Sequence, residues 1–231
     1  MGDLGIQERL LEVRQRILRA IERSNRDNGA VKLLAVSKTQ PPASLQEAYQ
    51  VGQRAFAENR IQEWVEKVPF LPADCEWHIV GRLQTNKVKY LTDKIALIHS
   101  LDRFSLLEML NEQGGRQGLT WATLVQVNIA QDPSKAGLAP EEVPDFLDSI
   151  ADYPYVQVRG FMTIGALEAN LQETRAFFRQ LRNLRDSLQS RTWPGVNLQE
   201  LSMGMSRDFE AAIEEGATLV RVGRQIFGER G

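Results

Sequence analysis

The chain has 231 residues, with 28 Lys+Arg against 30 Asp+Glu, a formal net charge of −2, and 42% hydrophobic residues. This is the composition of an ordinary globular protein, and the near balance of charge removes any overall electrostatic footprint for nucleic acid or an anionic membrane. One cysteine, Cys75, excludes an internal disulfide framework, and no apolar stretch is long enough to span a bilayer, so a reducing cytoplasm is the expected location.

The first predicted element is an amphipathic helix over residues 4–23, whose Glu8 and Glu12 separate it from a signal peptide. An apolar run over 31–38 follows and is stopped by Pro41 and Pro42; it reads as a buried strand ending on Lys38. Further strands are expected at 54–58, 77–81, 95–100, 123–129, 156–164, 198–203 and 218–222. Helices are expected between them at 44–51, 60–68, 104–113, 140–151, 168–190 and 207–215, with a shorter one inside 86–91. Pro140 suits a first helical turn, and Gly52 and Gly216 suit the left-handed position that ends a helix.

Eight strands alternating with helices predict an α/β fold, a (β/α)8 TIM barrel, as a single domain over residues 1–231. Only nine residues follow Val222, so a full last helix is missing. In a closed barrel the extra N-terminal helix is expected to cover that gap. An open doubly wound sheet would need a Gly-rich fingerprint after an early strand, and none is present.

Active sites of such barrels lie at the C-terminal ends of the strands, and the loops after strands 7 and 8 often hold a phosphate. The loop after strand 7 reads Ser202-Met203-Gly204-Met205-Ser206-Arg207-Asp208, with a serine hydroxyl near the start of a helix. After strand 8 comes Val222-Gly223-Arg224-Gln225, where a glycine permits close backbone approach. Ser206 has an ordinary reading as a helix cap, Gly223 as a turn glycine and Arg224 as a surface charge; their joint occurrence at the two preferred loops favours an anion site. Strand 8 adjoins strand 1, which puts Lys38 beside that anion. Burial at a strand end lowers a lysine's pKa and makes it a nucleophilic amine. An imine-forming lysine next to a phosphate cradle points to a phosphorylated aldehyde, pyridoxal 5′-phosphate (PLP) being the commonest cofactor of that kind. If Lys38 points into the mouth, Arg221, alternating with Leu219 and Gly223, points there too. The two histidines, His78 and His99, lack metal-ligand spacing; no metal is expected, and His78 reads as a satisfied core residue. A Ser-His-Asp hydrolase is also unsupported, because no Gly-x-Ser-x-Gly elbow occurs.

Several segments in order carry a resemblance: Leu34-Ala35-Val36-Ser37-Lys38-Thr39, Phe56-Ala57-Glu58-Asn59-Arg60, Trp77-His78-Ile79-Val80-Gly81-Arg82, Ser134-Lys135-Ala136-Gly137, Leu201 to Asp208, and Val220 to Gly228. Over most of its length the chain resembles the pyridoxal phosphate homeostasis protein family. The resemblance implies a barrel similar to the alanine racemase N-terminal domain, with PLP as a Schiff base on Lys38. It implies that Ser206, Gly223 and Arg224 hold the phosphate, that Arg221 faces the pyridine nitrogen, and that Asn59 and Met203 line the ring. His78, Asn86 and Lys87 match the family pattern with no role assigned.

An arginine donates hydrogen bonds and cannot accept a proton, so the ring nitrogen is expected to stay unprotonated and the cofactor to be a weak electron sink. Alanine racemases take a second base, a tyrosine, from another domain; here Tyr49, Tyr90, Tyr153 and Tyr155 are expected away from the mouth. The resemblance therefore implies a non-enzymatic, cytoplasmic PLP carrier, a monomer that meets apoenzymes transiently and binds neither nucleic acid nor membrane. A weak PLP-dependent amino-acid racemase and a class I aldolase-like barrel acting on a phosphorylated sugar are the alternatives.

Overall fold

The computed structural model describes residues 4–165 and 169–228. Eight parallel strands close into a barrel in sequential order: β1 Lys32–Val36, β2 Ala55–Glu58, β3 Glu76–Ile79, β4 Ile95–Leu101, β5 Trp121–Gln126, β6 Val156–Met162, β7 Val196–Met205 and β8 Leu219–Val222. Helices α1 Ile6–Arg23, α2 Pro42–Gln50, α3 Ile61–Lys67, α4 Phe104–Gln117, α5 Val143–Asp148, α6 Leu171–Leu188, α7 Phe209–Glu214 and α8 Arg224–Phe227 surround it. The expected segment 86–91 is a 3-10 turn, Thr85–Tyr90. The expected helix 140–151 divides into a 3-10 turn, α5 and a second 3-10 turn, with Pro144 in the first turn of α5. Proline lacks the N–H that a continuous helix would need there. The start of the expected helix 168–190 falls partly on residues outside those described; α6 itself begins at an Asn170 cap, whose side chain accepts from the Glu173 amide while Glu173 Oε2 accepts from the Asn170 amide.

Strand alternation divides the apolar side chains into two layers. Leu34, Ala57, Val80, Leu97, Leu124, Met162 and Leu219 fill the barrel interior. Phe56, Trp77, Ile98, Val125, Phe161, Leu201, Val220 and Val222 face the helices in the larger outer core. Helix α1 buries Leu10, Val13, Ile17, Ala20 and Ile21, the three-and-four spacing of one helical face. It packs on α7 and α8, across the seam where β8 pairs with β1, as the sequence led us to expect. Arg16 ties it to Glu210 of α7 at 2.9 Å, and Arg9 Nε donates to the Ile226 carbonyl of α8 at 2.8 Å. Among the described residues, no helix is long and apolar enough to cross a membrane.

Candidate functional site

Lys38 lies in the turn just beyond β1 and is half-buried. The strand ends two residues before the apolar run does, because a turn begins at Lys38 and Thr39 adopts φ 65°. This turn is braced from the helix side. Ser37 Oγ donates to Glu58 Oε1 at 2.7 Å, and Lys67 Nζ donates to the same oxygen at 2.7 Å and to the Ser37 carbonyl at 2.8 Å. The Thr39 amide donates to Glu63 Oε2 at 2.7 Å. Both residues flanking Lys38 are thus fixed by side chains of β2 and α3. Glu58 is fully buried and Lys67 nearly so, and Glu58 Oε2 has no hydrogen-bond partner among the described residues. Burial pushes the Glu58 carboxyl up to about 7, against the opposing pull of Lys67 and Ser37. Sequence reading missed this brace; its only trace there is the Glu63–Lys67 pair one helical turn apart.

The loops after β7 and β8 meet beside this turn. Register sets Leu34 opposite Arg221 and Ala35 opposite Val222. A Cβ on Gly223 would meet the Val36 carbonyl at 2.9 Å, so only glycine lets the β8 loop lie this close to the strand that carries Lys38. Gly204, at φ 90°, is equally confined, since a Cβ there would meet Phe209 Cα at 2.9 Å. Ser206 is buried between β7 and α7, but α7 begins later than expected and its N-cap is Asp208, so Ser206 is not the helix cap. Asp208 Oδ1 accepts from the Met205 amide at 2.6 Å and closes the loop. Burial raises the Asp208 carboxyl, opposed by that amide and by Arg221. Gln225 joins the two loops: its Nε2 donates to the Ser206 carbonyl at 2.6 Å and its Oε1 accepts from Arg16 at 3.1 Å. Arg224 is exposed and opens α8, whose first-turn amides have no acceptor within the helix.

Arg221 points into the barrel and is 6% exposed. Nη1 donates to Ser202 Oγ at 2.6 Å and Nη2 to the Thr163 carbonyl at 2.8 Å. Burial lowers it to about 10, with Asp208 pulling the other way, so it stays charged at neutral pH. Asn59 follows β2 directly and is half-buried; its backbone packs so tightly on Gly81 that a Cβ there would meet the Asn59 carbonyl at 2.2 Å. Met203 is fully buried in the outer core, and the side chain that β7 sends inward beside Arg221 is Ser202. Tyr49 and Tyr90 end helical segments that lead into the N-terminal ends of β2 and β4, and Tyr153 and Tyr155 directly precede β6, all away from the C-terminal mouth.

The structure therefore gathers an amine, a buried serine beside two joined loops, a set of helix-start amides and a fixed guanidinium at one barrel mouth. The family described as alanine racemase, N-terminal domain, matches residues 11–231. The pyridoxal phosphate homeostasis protein of Aquifex aeolicus is 46% identical over 224 residues, covering 96% of this chain and 97% of that one. The protein of the same name from Escherichia coli K12 is 36% identical, covering 97% of each.

The chain belongs to the pyridoxal phosphate homeostasis protein family.

The structure of a relative, PipY of Synechococcus elongatus PCC7942 with PLP bound, is 39% identical, with a TM-score of 0.84 over 96% of this chain and all of that one. The same protein without PLP gives 0.85 at 40% identity. Alanine racemase from Clostridium difficile 630, at 15% identity and a TM-score of 0.68, shares the fold over 55% of its own length.

Proposed function

We propose that this chain, acting over residues 1–231 as one domain, binds PLP at the C-terminal mouth and holds it without a dedicated reaction of its own. The observation that carries this reading is the seam between β1 and β8. It sets the Lys38 turn against Gly223 and the Arg221 strand, while Gln225 locks the Ser206 loop beside them. The donor set suits the cofactor: an amine for the aldehyde, Ser206 with the Gly223 and Arg224 amides for the phosphate dianion, and a permanent donor, Arg221, for the ring nitrogen. Asn59 stands at the mouth as a ring neighbour. PLP held this way would supply a reactive aldehyde masked by reversible linkage to an amine.

The protein's own residues favour retention over turnover. Arg221 keeps a positive charge where an electron-withdrawing ring would need a proton on its nitrogen, so carbanion chemistry gains little support. The tyrosines that could serve as a second base lie elsewhere, which weighs against the racemase alternative. Two PLP-homeostasis names among relatives of near-equal length agree with a carrier role. We place the carrier in the cytoplasm as a monomer that passes PLP to apoenzymes on contact.

Titration of the whole protein with PLP tests the reading. A visible absorbance band of the lysine-linked cofactor is expected, lost in Lys38→Ala; its persistence in that variant would remove Lys38 from the site. Ser206→Ala is expected to weaken PLP retention with the barrel still folded, and unchanged retention would remove Ser206.

A further inference from the structure

Five polar side chains link end to end through the barrel interior. Arg221 Nη1 donates to Ser202 Oγ at 2.6 Å; Ser202 Oγ lies 2.8 Å from His99 Nδ1; His99 Nε2 lies 2.9 Å from His78 Nδ1; His78 Nε2 lies 3.0 Å from Glu76 Oε1. Ser202 and His99 are fully buried, and His78 is 2% exposed. Glu76 begins β3 at the opposite, N-terminal end of the barrel, where Lys32 Nζ holds its carboxylate at 2.7 Å. The column therefore runs from the floor of the barrel to the guanidinium at its mouth.

The two ends fix every proton between them. A guanidinium can only donate, so Ser202 accepts from Arg221 and has one proton left to give, to His99 Nδ1. An ionised carboxylate can only accept, so His78 carries its proton on Nε2 and leaves Nδ1 as an acceptor. His99 must then supply Nε2–H to His78. Each contact receives one proton, and all of them point from Arg221 toward Glu76. The reverse order would set a lone pair of His78 against a carboxylate or require a charged imidazole in a dry interior. Burial lowers His78 and lowers His99 further, with His78 and Arg221 adding to the effect on His99, so both rings stay neutral. The bond to His78, foremost, and Lys32 hold Glu76 at about 2 against its own burial.

We propose that Ser202, His99, His78 and Glu76 are positioning residues for Arg221, a polarised column that fixes the guanidinium's orientation at the mouth and supports its charge from the far end of the barrel. Hydrogen bonds aligned in series in a low-dielectric interior strengthen one another, and their negative ends all face the cation. The inference rests on the reading of Arg221 as the partner of the PLP ring nitrogen. It adds that the electronic state of that nitrogen is set partly by residues with no contact to the cofactor.

Nitrogen-15 NMR of histidine-labelled whole protein tests it, with PLP and borohydride mapping in parallel. Both buried imidazoles are expected as neutral Nε2–H tautomers before PLP is added. Loading is expected to shift the His99 nitrogens. In Ser202→Ala that shift is lost and the absorbance of bound PLP moves, while Lys38 is still modified; Ser202→Thr, which keeps the hydroxyl, restores both, and thermal unfolding shows whether each variant is folded. An Nδ1–H or charged ring in the wild type would overturn the column without any variant being needed. Identical PLP spectra in wild type and Ser202→Ala, with Lys38 modified in both, would overturn the positioning role alone. A wild type in which PLP never reaches Lys38 would instead overturn the PLP reading, and the positioning role with it.

Discussion

Two buried polar clusters flank the mouth, one inside the barrel and one behind its wall, and they differ in how charge is handled. The interior column is neutral along its middle and carries charge only at its ends, Arg221 and the Glu76–Lys32 pair. The outer brace concentrates an ion pair, Lys67–Glu58, in the core between β2 and α3 and leaves one carboxylate oxygen without a hydrogen-bond partner among the described residues. The difference teaches what each is for. A column of neutral groups transmits orientation along the barrel axis to a cation. A compact ion pair grips backbone, here the Ser37 carbonyl and, through Glu63, the Thr39 amide on either side of Lys38. On the proposed reading, one cluster aims a side chain at the ring position and the other aims the turn that carries the amine.

The largest effect is expected from breaking the brace. Lys67→Met removes one partner of a buried pair and should cost about 3 kcal/mol in urea unfolding, at the low end of such losses because the Glu58 carboxyl can take up a proton instead. Adding Glu58→Gln should recover part of that loss; a double variant no better than the single would show that the brace acts by packing, not charge. The Lys38 turn should loosen in both, with faster amide exchange at Thr39. Breaking the column should cost less. Ser202→Ala leaves an Arg221 N–H unpaired and is expected to lower stability by about 1–3 kcal/mol, with the exchange of Thr39 unchanged. If Thr39 responded equally to both, the two clusters would be one unit.

A smaller effect separates them by pH. The folded pKa values of both histidines lie below the usual 6.5, so below that value the unfolded chain binds more protons than the folded one, and acidification lowers stability. Glu76, depressed from 4.5 to about 2, adds a loss between those values. Glu58 has the opposite sign: its raised pKa means that stability falls as pH rises from 4.5 toward about 7. Urea midpoints measured from about pH 7 to about pH 5 should decline more steeply in Glu58→Gln and less steeply in His99→Gln than in the wild type. Equal slopes in all three would contradict these assignments.

The barrel was legible because each strand is an apolar run between helical segments, and Gly52 and Gly216 mark helix ends as expected, at φ 86° and 104°. Boundaries were less so. β7 extends from Val196 to Met205, past the apolar run at both ends, and its start alternates exposed Asn197 and Gln199 with buried Leu198. That Lys38, Ser206, Arg221 and Gly223 meet at one mouth was readable from strand order. The inward face of β7 falls on Ser202 and sets Met203 in the outer core. The column and the brace were not readable, because their partners come from separate strands: His99 and Ser202 are 103 positions apart, and Ser37 and Lys67 are 30. Only parity hinted at the former, with His78 and His99 on inward positions alongside Val80 and Leu97.

The central claim is that this mouth holds PLP through Lys38. Borohydride reduction of the PLP-treated whole protein, followed by peptide mass mapping, tests it directly. A single pyridoxyl adduct on Lys38 is the expected result; an unmodified Lys38 with the adduct on another lysine would contradict it.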